Sequence, residues 1–138
     1  MAGHVAPFRV LVVDDNHLIR RLLGLILETA GFVAVEAESG DDALELGRDE
    51  PPDAWLIDEV MPAMKGSDLI RTLRRSRDLR LSRAAVVGIS GRPGARAELL
   101  AAGADTFVAK PVDERAVLRA LARALDGRHA GAGRLPAA

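Results

Sequence analysis

Cysteine is absent from the 138 residues, which excludes disulfides, thiol catalysis and thiolate metal ligands. Histidine is scarce: His4 and His129 fall towards the termini and His17 at a helix start, leaving a zinc or soft-metal site without support. Only 3% of residues are aromatic and the formal net charge is -1, so neither a stacking platform nor a basic excess makes nucleic acid an expected partner. No apolar run approaches the roughly 20 residues that span a bilayer. Met1 to Phe8 lacks a charged start followed by an apolar core, so a cytoplasmic protein is expected. Lysine is nearly missing as well: of 19 basic side chains, only Lys65 and Lys110 are not arginine. A lysine retained in such a composition suggests a need for a compact point charge.

What is present is an alternation. Apolar runs of strand length recur at Phe8 to Val13, Val33 to Ala37, Ala54 to Ile57, Ala85 to Ile89 and Thr106 to Ala109. Between and after them, helical spacing covers Leu18 to Thr29, Asp41 to Arg48, Ser67 to Arg75, Ala95 to Ala101 and Glu114 to Leu125. Asn16, Ser39 and Asp113 are placed to cap helix starts, and Gly31 and Gly103 to follow helix ends. Runs without polar alternation predict strands buried on both faces, hence an α/β protein with a doubly wound, five-stranded parallel sheet flanked by five helices. Right-handed crossovers favour the order 2-1-3-4-5. The expected divisions are a tail at 1–7, one domain at 8–126 and a Gly- and Ala-rich flexible tail at 127–138.

Charged residues sit where these strands stop. Asp14 and Asp15 end the first, Asp58 the third and Lys110 the fifth, while Ser90 ends the fourth. The strand order would gather the carboxylates in the crevice at the sheet's carboxyl edge. Three carboxylates at close range repel one another, and protonation or a hard, oxygen-ligated cation such as Mg²⁺ relieves that repulsion. Asp58 stands on a rigid strand-to-loop transition, where a carboxylate can accept a phosphoryl group as an acyl phosphate. Ser90 and Lys110 can engage phosphoryl oxygens. Simple compensation of a helix N-terminus is the rival reading of Asp14-Asp15, and Asn16 already provides a cap there.

With Val12-Val13-Asp14-Asp15-Asn16, Pro52-Asp53 through Asp58, Met61-Pro62 with Gly66, Ser90-Gly91, and Gly103-Ala104-Asp105 leading to Lys110-Pro111, the chain resembles the receiver domain of two-component response regulators over Phe8 to Asp126. The resemblance implies that Asp58 is the phosphoacceptor and that Mg²⁺ is held by Asp15 directly, by Asp14 through water, by Asp58 and by the backbone carbonyl of Val60. It implies that Ser90 and Lys110 bind the phosphoryl group and that Phe107, which otherwise reads as a core aromatic, changes rotamer as Ser90 moves. The implied donor is a sensor histidine kinase or phosphotransfer protein. The implied output is binding of a downstream protein through the fourth helix, fifth strand and fifth helix, by a monomer or phosphorylation-dependent dimer. The chain then reads as a stand-alone switch with only self-directed phosphoryl chemistry, the alternatives being a phosphorylation-independent binding module or a fragment of a larger regulator or hybrid kinase. A phosphatase resembling the haloacid dehalogenases would place Asp-x-Asp after the first strand.

Departures from the family pattern are Ser90 for Thr, Gly91 for Ala, and Arg92-Pro93-Gly94 in the following loop. Val60 and Arg92 hold the positions that flank the phosphoryl group, and apolar Val60 is expected to orient attacking water poorly. Two surfaces remain. Arg71, Arg74, Arg75, Arg77, Arg80 and Arg83, opposed locally by Asp78, read as a solvated face. On the first helix, Ile19, Leu23 and Leu27 are expected to pack on Val117, Leu118 and Leu121, the other reading being a kinase-binding stripe.

Overall fold

A computed structural model describes residues 7–129. The strands are β1 (Arg9–Val13), β2 (Val33–Ala37), β3 (Ala54–Asp58), β4 (Ala85–Ser90) and β5 (Thr106–Ala109). They form one parallel sheet in the order β2-β1-β3-β4-β5. The helices are α1 (His17–Thr29), α2 (Gly40–Asp49), α3 (Gly66–Arg74), α4 (Leu79–Ser82), α5 (Ala95–Ala102) and α6 (Glu114–His129).

The pleat divides the core into two layers. Leu11, Val13, Trp55, Ile57 and Val86 face α2, α3 and α5. Val10, Val12, Leu56, Val87 and Ile89 face α1 and α6, where Leu23 and Leu27 meet Val117 and Leu121. Because both faces are covered, β3 and β4 are buried along their whole length, which explains their uninterrupted apolar sequence. The inner stripe of α1 is therefore core, and its exposed apolar residues are Leu18, Leu22 and Leu25 instead.

Capping follows the expected residues. Asn16 Oδ1 accepts from the Ile19 amide at 3.1 Å, Ser39 Oγ from Asp42 at 3.1 Å and Asp113 Oδ2 from Ala116 at 3.1 Å. Gly31 and Gly103 take φ of 97° and 123°, the left-handed region that lets the chain leave a helix.

Three expectations need correction. Six helices flank the sheet, not five: a single turn, α4, forms within the Arg-rich segment, capped by Asp78 and anchored by buried Leu81. The last helix also continues past Leu125 and the boundary at 126, because Arg128 pairs with Asp105 at 2.7 Å and ties down the final turn. Residues 127–129 are thus helical, Pro7 is exposed, and the remainder of the expected tails lies outside the described residues. Finally, the arginine surface is not opposed by Asp78 alone. Arg74 turns inward, donating to Gly103 O, Ser82 O, Ala84 O and Asp105, while Arg71 pairs with Asp68.

Gly47 on α2 lies over Trp55, and a Cβ there would overlap the indole. Alanine ordinarily strengthens a helix by about 1 kcal/mol relative to glycine, but overpacking costs about 1–3 kcal/mol. Gly47→Ala should therefore lower stability by roughly 1–2 kcal/mol in urea titration followed by Trp55 fluorescence. A higher midpoint would contradict this packing.

Candidate functional site

The carboxyl ends of β1, β3 and β5 bring Asp14, Asp15, Asp58 and Lys110 to one place. Asp14 leaves β1 buried and held on three sides: its amide donates to Ala37 O at 3.2 Å, its Oδ1 accepts from the Asn16 amide at 2.9 Å, and its carbonyl accepts from Arg20 Nη1 at 2.7 Å. Asp15, next in sequence, is exposed. Asp58 ends β3 with 4% of its surface accessible. Each contributes a carboxylate oxygen to a group lying within 4.8 Å of one another. The pair precedes α1, whose N-cap is Asn16 and whose first turn contains no acid.

Lys110 arrives from β5 and places Nζ 3.2 Å from Asp14 Oδ2 and 3.2 Å from Asp58 Oδ1. One ammonium therefore serves two buried carboxylates, with Asp15 beside them. Burial, then Asp14, raise the pKa of Asp58 from 3.8 to about 6, with Lys110 opposing them. Burial works against the charge on Lys110, but Asp58 and Asp14 together outweigh it and raise its pKa. Such a set of crowded, hard oxygen donors with incomplete compensation fits a small divalent cation.

The loop after β3 folds closely over the site. Gly66 approaches so near that a Cβ would overlap the carbonyl of Asp58, and its amide donates to Glu59 O at 3.0 Å. Val60 lies in this loop and is 55% exposed. Ser90 is buried at the end of β4, where its Oγ accepts from the Arg92 amide at 3.1 Å. Phe107 is half-buried, packing against the core while lining a groove with Leu100 and Ala120.

Glu59 was not singled out by sequence reasoning. Its carboxylate is buried and accepts from the Ser67 amide at 2.7 Å while pairing with Arg92 at 3.4 Å. The available signal was a second acid directly after Asp58 in an otherwise apolar stretch.

The sequence pattern of the response regulator receiver domain matches residues 10–122. The chain belongs to this receiver-domain family. The transcriptional regulatory protein ResD of Bacillus subtilis is 34% identical over 110 residues, covering 80% of this chain and 45% of ResD. Protein PilH of Pseudomonas aeruginosa is 31% identical over 119 residues, covering 86% of this chain and 98% of PilH. The receiver fold is shared with a CheY-like receiver domain protein from Methanospirillum hungatei, with a TM-score of 0.82 and 26% identity, covering 91% of this chain and 99% of that one. This receiver thus spans less than half of one relative and nearly all of another.

The raised pKa of Asp58 has a consequence for stability. A folded value above the ordinary 3.8 means that protonation favours the fold: the contribution is complete below about 3.8 and lost above about 6. Without divalent ions, Asp58→Asn should therefore exceed wild type in stability by about 1–3 kcal/mol at pH 7.5, with the gap closing as pH falls towards 4. Denaturant midpoints of both proteins across this range test it, and a gap independent of pH would contradict it.

Proposed function

We propose that this receiver is a phosphorylation switch in the cytoplasm that accepts a phosphoryl group on Asp58 from the phosphohistidine of a sensor kinase or phosphotransfer protein. The observation that carries the reading is the meeting of Asp14, Asp15, Asp58 and Lys110 at one edge of the sheet. An oxygen of Asp58 attacks phosphorus, the P–N bond to the donor imidazole breaks, and the imidazole retains the bonding pair. The product is an acyl phosphate, which water later cleaves to restore the carboxylate. This chemistry is self-directed, and the receiver turns over no separate substrate.

Asp14, Asp15, Asp58 and the Val60 carbonyl would hold Mg²⁺, whose positive charge would offset that of the transferring phosphoryl oxygens. Lys110 supplies a second positive charge, and its bridge between Asp14 and Asp58 keeps its head at the reacting carboxylate. Burial of Asp58 limits water around the nucleophile, while the raised pKa leaves it ionised above about pH 6. Ser90 donates its hydroxyl proton to the phosphoryl group while its oxygen accepts from the Arg92 amide.

Phosphorylation adds about -1.5 to -2 charges beside Ser90 and Lys110 and biases the loop after β4. The change passes to α5, β5 and α6 through Phe107, which lies in the groove between these elements. A protein partner reads that face. The exposed Leu18, Leu22 and Leu25 of α1 offer the phosphodonor an apolar surface.

Incubation with Mg²⁺ and acetyl phosphate should yield one acid-stable, base-labile phosphoryl adduct by mass spectrometry, and Asp58→Asn should abolish it. Labelling that persists in Asp58→Asn, or labelling of wild type that is indifferent to Mg²⁺, would reject the assignment. Val60→Asn should shorten the adduct's half-life, since an amide can orient the attacking water that Val60 cannot; an equal or longer half-life would assign no such role to Val60.

A further inference from the structure

Among the described residues the buried acids are Asp14, Asp58 and Glu59, and the phosphoryl chemistry employs only the first two. Glu59 has 1% of its surface accessible and follows the acceptor directly. One of its oxygens, Oε1, accepts from the Ser67 amide at 2.7 Å, which fixes it to the start of α3. The other, Oε2, accepts from Ser67 Oγ at 3.3 Å and pairs with Arg92 Nη2 at 3.4 Å. The same nitrogen of Arg92 also makes a short ion pair with Glu98 on α5.

Arg92 is thereby the centre of the loop after β4. Its amide donates to Ser90 Oγ at 3.1 Å, and its side chain spans from a buried carboxylate to an exposed one. Burying an ionised carboxylate is costly unless it is paired, and truncating its partner leaves the charge uncompensated. Arg92 itself is 42% exposed at the side chain. Moving its guanidinium towards the acceptor breaks the Glu59 pair and leaves that buried carboxylate uncompensated, so the pair holds this positive charge back from Asp58.

We propose that Glu59 is a positioning residue which, with Glu98, holds the guanidinium of Arg92 on the two carboxylates, back from the acceptor, and so slows phosphoryl uptake at Asp58. A phosphoryl group arriving at Asp58 competes for Arg92 and draws it from the two glutamates. This inference rests on Asp58 being the phosphoacceptor.

The test is a double-mutant cycle on the rate of phosphoryl uptake from acetyl phosphate with Mg²⁺. Glu59→Gln keeps an acceptor for the Ser67 amide and removes the charge that holds Arg92, and uptake should rise about threefold or more. Glu98→Gln, on the surface, should act in the same direction. In an Arg92→Ala background neither substitution should change the rate. An unchanged or slower Glu59→Gln protein overturns the proposal. So does an acceleration that survives in Arg92→Ala, because Glu59 would then act on Asp58 directly through its charge. Should Glu59→Gln fail to fold, Glu59→Asp withdraws the carboxylate from Arg92 by one methylene and carries the same two expectations. A wild type that takes up no phosphoryl group sinks the phosphoacceptor reading and this one together, whereas labelled wild type with unresponsive variants sinks this one alone.

Discussion

Repulsion among Asp14, Asp15 and Asp58, held at short range by the parallel sheet, is the constraint from which the rest of the site follows. At separations within 4.8 Å, each pair of like charges repels by about 3–4 kcal/mol at an effective dielectric of about 20. Against a net folding stability of about 5–15 kcal/mol this is a large internal opposition. The fold sustains it because β1 and β3 are neighbours in register and both are locked from two sides by apolar layers. Lys110 relieves only part of it. Its single ammonium is shared between two acids, and the pKa of Asp58 remains raised in its presence. A pocket in this state has an outstanding demand for positive charge, which a divalent cation meets.

The site is joined to a distant face by a short covalent path. Ser90 ends β4, Arg92 follows two residues later, and Glu98 lies on α5. Ser90 also pairs in register with Ala109 of β5, the residue before Lys110. The acidic site at the sheet edge and the packing in the α5–β5–α6 groove are therefore linked through two adjacent strands and one loop. The Glu59 and Glu98 pairs reach Arg92 in the loop after β4, where residues 91 to 94 are all exposed.

The sheet was readable because burial on both faces writes strands as uninterrupted apolar runs, and helix starts carried Asn16, Ser39 and Asp113. The acidic site was readable for a related reason: in runs such as Val10 to Val13, a charge can only stand at the end, and strand order then brings those ends together. What escaped were features decided by tertiary partners. Four residues of α4 are too few to show a helical period, and only buried Leu81 and the Asp78 cap define the turn. Gly127 opened the expected Gly- and Ala-rich tail, but α6 runs through it and Arg128 pairs with Asp105. Arg74 looked like its surface neighbours until four acceptors, from Ser82, Ala84, Gly103 and Asp105, turned it inward. Glu59 carries no periodic signal, and its role depends on Ser67 and on Arg92, 33 residues away.

Stored charge repulsion is tested most directly by the thermal midpoint of the purified protein as a function of Mg²⁺ concentration at neutral pH and constant ionic strength. The midpoint should climb and saturate for wild type, because an ion bound only by the native pocket stabilises by mass action. Asp15→Asn, which removes the exposed member of the trio, should need more Mg²⁺ to reach the same rise. A midpoint that ignores Mg²⁺, or a rise identical in wild type and Asp15→Asn, would contradict a pocket built around uncompensated carboxylates.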